Sequence, residues 1–175
     1  MIDNGPDSLL LDYEARSLEE ILGAEGSQEF MKRLPVNPED LLARGILHRA
    51  GRAGFNYWMK NATGTYNWND PSFKFSPIKK KIATGLQLIC DLINAEKGKI
   101  LLFENQPEYW EILTLPGTIT RETSAVTDCN YLAGFLQEFT SWAGLGKFYR
   151  VTTGKVQHDD RTCCRIRIDK KPIDS

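Results

Sequence analysis

Between Glu39 and Asn61 the apolar positions Leu42, Ile46, Ala50, Ala53 and Tyr57 recur every three or four residues, which is the period of one helix face. Asn37 and Pro38 precede this run as a cap and a first-turn proline, so the spacing predicts a helix from about residue 39. The same period returns from Ser76 to Glu96, with Ile82, Leu86, Ile89, Cys90 and Ile93 facing inward, and again from Ser124 to Gly144. Shorter runs, Lys99 to Glu104 and Tyr109 to Leu115, read as one strand pair around Asn105-Gln106-Pro107-Glu108. A second pair is predicted at Lys147 to Val156 and Arg161 to Asp169. In the last strand Cys164, Ile166 and Ile168 share one face, and Cys163, Arg165 and Arg167 share the other.

Two hairpins with helices between them predict an α+β domain, an antiparallel sheet of two hairpins covered by helices, rather than a doubly wound parallel sheet. Residues 1–37 read as an N-terminal helical arm and 38–175 as the domain proper. The loop from Thr63 to Pro77 carries Tyr66, Trp68, Phe73 and Phe75, more aromatic surface than a solvent loop holds, which suggests that it folds back as a lid or a contact patch. Gly45, Gly51 and Gly54 each weaken the first long helix by roughly 1 kcal/mol relative to Ala, a cost tolerated where a second backbone or a ligand comes close. Lys79, Lys80 and Lys81 occupy the first turn of the next helix, where positive charge is unfavourable. That placement fits either a solvated turn or an anionic neighbour.

Composition narrows the classes of function. With 22 basic and 23 acidic residues the net charge is -1, so no global field favours nucleic acid. No apolar run reaches the roughly 20 residues of a membrane span, and the acidic start lacks the layout of a secretory signal. The expectation is a cytoplasmic protein with its four cysteines reduced, because adjacent Cys163 and Cys164 point to opposite faces and a chain of this size folds without staples.

Catalytic signatures are sparse. His48 and His158 are the two histidines, with no Gly-x-Ser-x-Gly elbow, His-Glu-x-x-His helix or phosphate loop, so no enzyme is expected. Cys129, His158 and Cys164 are the candidate metal ligands. Their spacing is a poor match to zinc sites, which commonly pair thiolates two to four residues apart. The aromatic residues are the more telling group: Phe55, Trp58, Trp110, Tyr131, Phe135 and Phe139 lie on segments that should converge, and they are the expected lining of an apolar pocket.

Three pieces of the chain, Gly51-Arg52-Ala53-Gly54-Phe55, Tyr131-Leu132-Ala133-Gly134-Phe135-Leu136 and the closing stretch from Asp160 to Ile168, together resemble the 4-vinyl-reductase domain over residues 39–169. That family is related in fold to the vesicle-tethering transport-particle subunits. The resemblance implies a non-catalytic, often dimeric module that holds a hydrophobic small molecule, here a tetrapyrrole, a chlorophyll precursor or a hydrocarbon-like ligand. It further implies a role in photosystem or pigment-complex assembly, with a protein partner there, and ranks a vinyl-reductase activity last. Some members clip the final hairpin with zinc; Cys164 matches one ligand, but its partner position is Val156. The rival reading is a protein–protein interaction or scaffold module of the same fold with a filled core.

Overall fold

The computed structural model describes residues 9–33, 37, 39–62, 68, 70–97, 100–115 and 129–173. Helices α1 (Leu9–Lys32), α2 (Leu41–Ala62), α3 (Pro71–Lys74) and α4 (Ile78–Lys97) precede strands β1 (Leu101–Asn105) and β2 (Tyr109–Thr114). Helix α5 (Cys129–Ala143) then leads into β3 (Val151–His158) and β4 (Arg161–Asp169). The strands form one antiparallel sheet in the order β1-β2-β4-β3, so the two hairpins lie side by side with their second strands paired in the middle. The expected α+β layering is observed.

Register explains which face is buried. Trp110 and Ile112 of β2 pair with Ile168 and Ile166 of β4, and all four are buried under the helices. The alternate positions Glu111, Arg165 and Arg167 face away, with the Glu111 carboxylate 3.6 and 3.7 Å from the two guanidinium groups. The β3–β4 turn is made by Asp159 and Asp160, both at positive φ, which is the backbone that a two-residue hairpin of this twist requires.

Helix α5 is buried on almost every side, which is why its sequence is so apolar. It crosses α2 at Gly51 and Gly134: a Cβ on Gly51 would strike the Tyr131 carbonyl, and one on Gly134 would strike the carbonyl of His48. Of the two readings of the glycines, these positions take the close approach of a second backbone. Gly45, by contrast, has open space around it.

Several details differ from the pattern-based expectation. The cap of α2 is Asp40, whose carboxylate accepts from the Ala43 N–H at 3.0 Å, while Asn37 instead accepts from Glu39 in a local turn. The aromatic loop contains a short helix, α3, capped by Asp70 with Pro71 in its first turn. Tyr66 and the predicted helical residues 124–128 lie outside the described residues. Leu18 and Phe30 of α1 join the same buried cluster as the other helices. Asn94, which no periodicity singles out, ties α4 to β1 by donating to the Leu101 carbonyl and accepting from the Ile100 and Leu101 N–H groups at 2.8–3.0 Å.

The expectation of four reduced thiols is overturned. Cys129, at the start of α5, and Cys164, on the inward face of β4, form a disulfide with Cα atoms 6.2 Å apart. Strand alternation correctly turned Cys164 toward the helices, and the first residue of α5 is what meets it there.

Candidate functional site

The six aromatic residues proposed as a pocket lining are all buried. Phe55 and Trp58 of α2 meet Phe135 of α5 with ring centroids 5.4 and 5.6 Å apart, and Phe139 lies 6.0 Å from Phe55. Trp68, Phe73 and Trp142 extend this cluster at 4.9–5.5 Å. Such separations are those of rings in direct contact. Tyr131 packs its hydroxyl end against Gly54, and Trp110 sits on the sheet, where its ring neighbour is Tyr149 at 6.2 Å. The six therefore divide between the α2–α5 cluster and the sheet rather than facing one common space.

Of the metal candidates, Cys129 and Cys164 come together and His158 stands apart from them. The sulfurs of Cys129 and Cys164 are joined to each other, so neither is a thiolate. His158 is at the far end of β3, paired with Arg161 in register and 3.5 Å from the Asp159 carboxylate. No three His, Cys, Asp or Glu side chains converge among the described residues. Val156, at the lost zinc position, pairs with Cys163 across the hairpin.

Polar side chains converge elsewhere, in an open groove of about 320 Å³ where α2, α5 and β3 meet. Arg44 reaches across it, donating from Nε to Asn130 at 3.2 Å and from its terminal nitrogen to Thr153 at 3.5 Å. His48 lines the same groove one helical turn on, with Leu41 and Val151 as apolar walls. The Cys129–Cys164 disulfide is next to it in the chain, since Cys129 precedes Asn130. Arg44 and His48 lie on the polar side of the α2 pattern, where each residue alone resembles a solvated helix face. Only the packing of β3 against α5 encloses them.

Burial, with the Arg52 charge as a smaller contribution, holds the His48 imidazole below its ordinary value of 6.5. The folded chain thus binds this proton less readily than the unfolded chain does. Stability linked to His48 is complete above about pH 6.5 and is lost as the pH falls through the depressed value. Urea midpoints measured from about pH 7.5 down to about pH 5.5 should decline for the native chain and decline less for His48→Gln. Equal slopes would remove His48 as the cause.

No family model and no curated protein sequence matches the chain. Solved structures do. An H-NOX protein from K. algicida, in its Fe(II) unliganded form, matches with a TM-score of 0.52 at 11% identity over 94% of this chain and 96% of that one. A doubly substituted Tt H-NOX domain gives 0.51 at 14% identity over 96% and 97%. The fold is that of the H-NOX domains. A third match, a structure on modulating haem redox potential through protein-induced porphyrin distortion, has a TM-score of 0.48 at 15% identity over 95% and 96%.

The resemblance to the 4-vinyl-reductase domain and the transport-particle subunits is therefore corrected: the structures that match are H-NOX domains. Each of the three pieces that carried it has a structural cause. The glycines of the first piece and Gly134 of the second form the α2–α5 crossing, and the third is the β4 hairpin strand with its turn.

Proposed function

We propose that this chain is a non-catalytic binding domain on the H-NOX fold, taking a compact ligand with polar groups in the α2–α5–β3 groove. The observation that carries it is the convergence of Arg44, His48, Asn130 and Thr153, from three separate elements, on one concavity. Its volume of about 320 Å³ is at the low end of the range of roughly 300–1,000 Å³ that small-ligand pockets occupy. The thiols outside the disulfide favour binding over catalysis. Cys90 and Cys163 are both buried, and burial, then the adjacent Asp91 carboxylate, pushes the Cys90 thiol up to about 12.

One neighbour in fold was solved with Fe(II) and another was studied for its haem, so haem is the group to test against these residues. The described residues do not fit it. Phe55, Trp58, Phe135 and Phe139 touch one another, leaving no slot for a flat macrocycle between them, and neither histidine belongs to that cluster. His48 stands instead in a small, polar, open groove. The same packing favours a smaller ligand at the groove over a tetrapyrrole or chlorophyll precursor between the rings. A role in photosystem or pigment-complex assembly rested on the 4-vinyl-reductase resemblance and goes with it.

The experiment is a fragment screen on the isotope-labelled full chain, read by amide NMR, with hemin titrated separately. Shifts clustered at Arg44, His48, Asn130 and Thr153, with no bound-haem absorbance band, are the expected result. A stoichiometric haem band that His48→Ala abolishes would overturn the proposal. A second reading, the interaction module with a filled core, is favoured by the ring contacts; it predicts no clustered shifts from any fragment.

A further inference from the structure

We infer that the end of the molecule formed by α3, the first turn of α4 and the turn after α5 docks on the surface of an anionic lipid bilayer. The starting point is Leu145. It is 76% exposed, yet its φ is +58°, a left-handed conformation that a leucine adopts only at a conformational cost. The turn imposes that backbone: Gly144 donates to Thr140 and Gly146 to Ser141, both at 2.8 Å, closing the end of α5. Glycine or asparagine would suit the position better, and an exposed leucine recovers nothing from the core. A rigid turn thus holds an apolar side chain out into solvent.

Other apolar side chains surround it. Phe148 and Ile173 are each about half exposed, and the Ile173 N–H donates to the Phe148 carbonyl at 2.8 Å. Trp142, 40% exposed, lies one turn before Leu145 on α5 and stacks on Phe73 with centroids 6.2 Å apart. Phe75, two residues after Phe73, is 79% exposed.

Exposed lysines are interleaved with these residues. Lys147 separates Leu145 from Phe148, Lys171 is two residues from Ile173, and Lys74 precedes Phe75. Lys79 and Lys80 are exposed on the first turn of α4, and Lys81 places its Nζ 5.8 Å from the Phe73 ring, which fixes that turn beside the aromatic residues. Lys79 and Lys80 are the exposed lysines that the helix dipole disfavours, and an anionic surface removes the difficulty; Lys81 is buried. The described acids close to these residues in the chain are Asp70, whose carboxylate is engaged by Ser72, Glu138 of α5, which pairs with Arg52 at 2.9 Å, and Glu108 and Asp169 at the ends of the two central strands.

A bilayer fits this chemistry better than an acidic protein does. Protein interfaces are enriched in arginine and depleted in lysine. Lysine stems instead lie along apolar surface with the ammonium among headgroups, each adding about fivefold to association with an anionic leaflet. No described helix is long and apolar enough to cross a membrane, so the contact is peripheral.

The test is sedimentation of the full chain with vesicles of phosphatidylcholine alone and with about 30% phosphatidylglycerol, at low and high salt. Association with the anionic vesicles only, weakening steeply with salt, is expected. Leu145→Gly combined with Phe148→Ser should lower it by at least about tenfold, and Lys147→Gln by about fivefold. Leu145→Gly relieves the left-handed leucine and should not lower the melting temperature, so lost binding is not lost folding. Equal association with neutral vesicles, no association, or variants that bind as the native chain does would each overturn the inference. Self-association abolished by Leu145→Gly, without vesicle binding, would overturn it too and make this face a contact between copies.

Discussion

Alanine at Gly51 or at Gly134 is expected to destabilise the chain by at least about 3 kcal/mol, a large part of the roughly 5–15 kcal/mol that holds a domain of this kind together. In both cases the new Cβ meets backbone of the opposite helix rather than the movable end of a side chain. Relief therefore requires α2 and α5 to separate. Their separation in turn loosens Phe55 and Trp58 from Phe135 and Phe139, whose ring contacts span the same interface. Gly54 is an intermediate case, because its Cβ would meet the Tyr131 hydroxyl end and the Ser17 side chain. Gly45 supplies the opposite sign. Nothing lies within 4 Å of its Cβ position, so Gly45→Ala should stabilise α2 by about 0.5–1 kcal/mol through helix propensity alone. Urea denaturation of the four variants tests the order: Gly45 above the native chain, Gly54 below it, Gly51 and Gly134 lowest. If Gly51→Ala is as stable as Gly45→Ala, the close crossing is not present in solution.

Those glycines also mark what the sequence could and could not disclose. Their presence in an otherwise regular helix signalled a close approach, but the one-dimensional pattern treats Gly45, Gly51 and Gly54 alike. Only the path of α5 separates the free position from the crowded ones. Helix and strand assignments were legible because the 3.6 and 2.0 periods are local properties; α2, α4 and all four strands lie within a few residues of where periodicity puts them. The pairing of β2 with β4 was not legible, since two hairpins can associate through either strand. Nor was Asn94, a single polar residue whose partners arise from the turn into β1.

The aromatic residues show the same boundary at the candidate site. The meeting of Phe55, Trp58, Phe135 and Phe139 follows from the facing sides of α2 and α5, while strand alternation turns Trp110 inward elsewhere on the sheet. Whether convergent rings enclose a space or fill it depends on separations of an ångström or two, and Phe55, Trp58 and Phe135 lie at the distances of mutual contact. The groove was hidden for the converse reason: its polar residues are scattered from Arg44 to Thr153, and each alone looks like ordinary surface.

Reduction of the Cys129–Cys164 disulfide is expected to lower stability by between about 3 and 4 kcal/mol, the chain-entropy estimate for a loop closed over a separation of 35 residues. The bond fastens the first residue of α5 to the inward face of β4, at the end of α5 where Asn130 meets Arg44. Cys129→Ser and Cys164→Ser should each lose about that amount, and the double variant no more than either single one, because all three remove the same cross-link. Cys163 cannot replace Cys164, since strand alternation directs it to the opposite face, where it pairs in register with Val156. Cys163→Ala should consequently leave the response to a dithiol reductant intact. The check is chemical denaturation of the native chain and the four variants with and without reductant. Under reduction the native chain should fall to the level of the serine variants; a native chain whose midpoint ignores the reductant would show that α5 and β4 hold together without the bond. The groove offers a local readout of the same event: loosening the start of α5 moves Asn130 away from Arg44, so amide shifts at these two residues should accompany reduction before global unfolding begins.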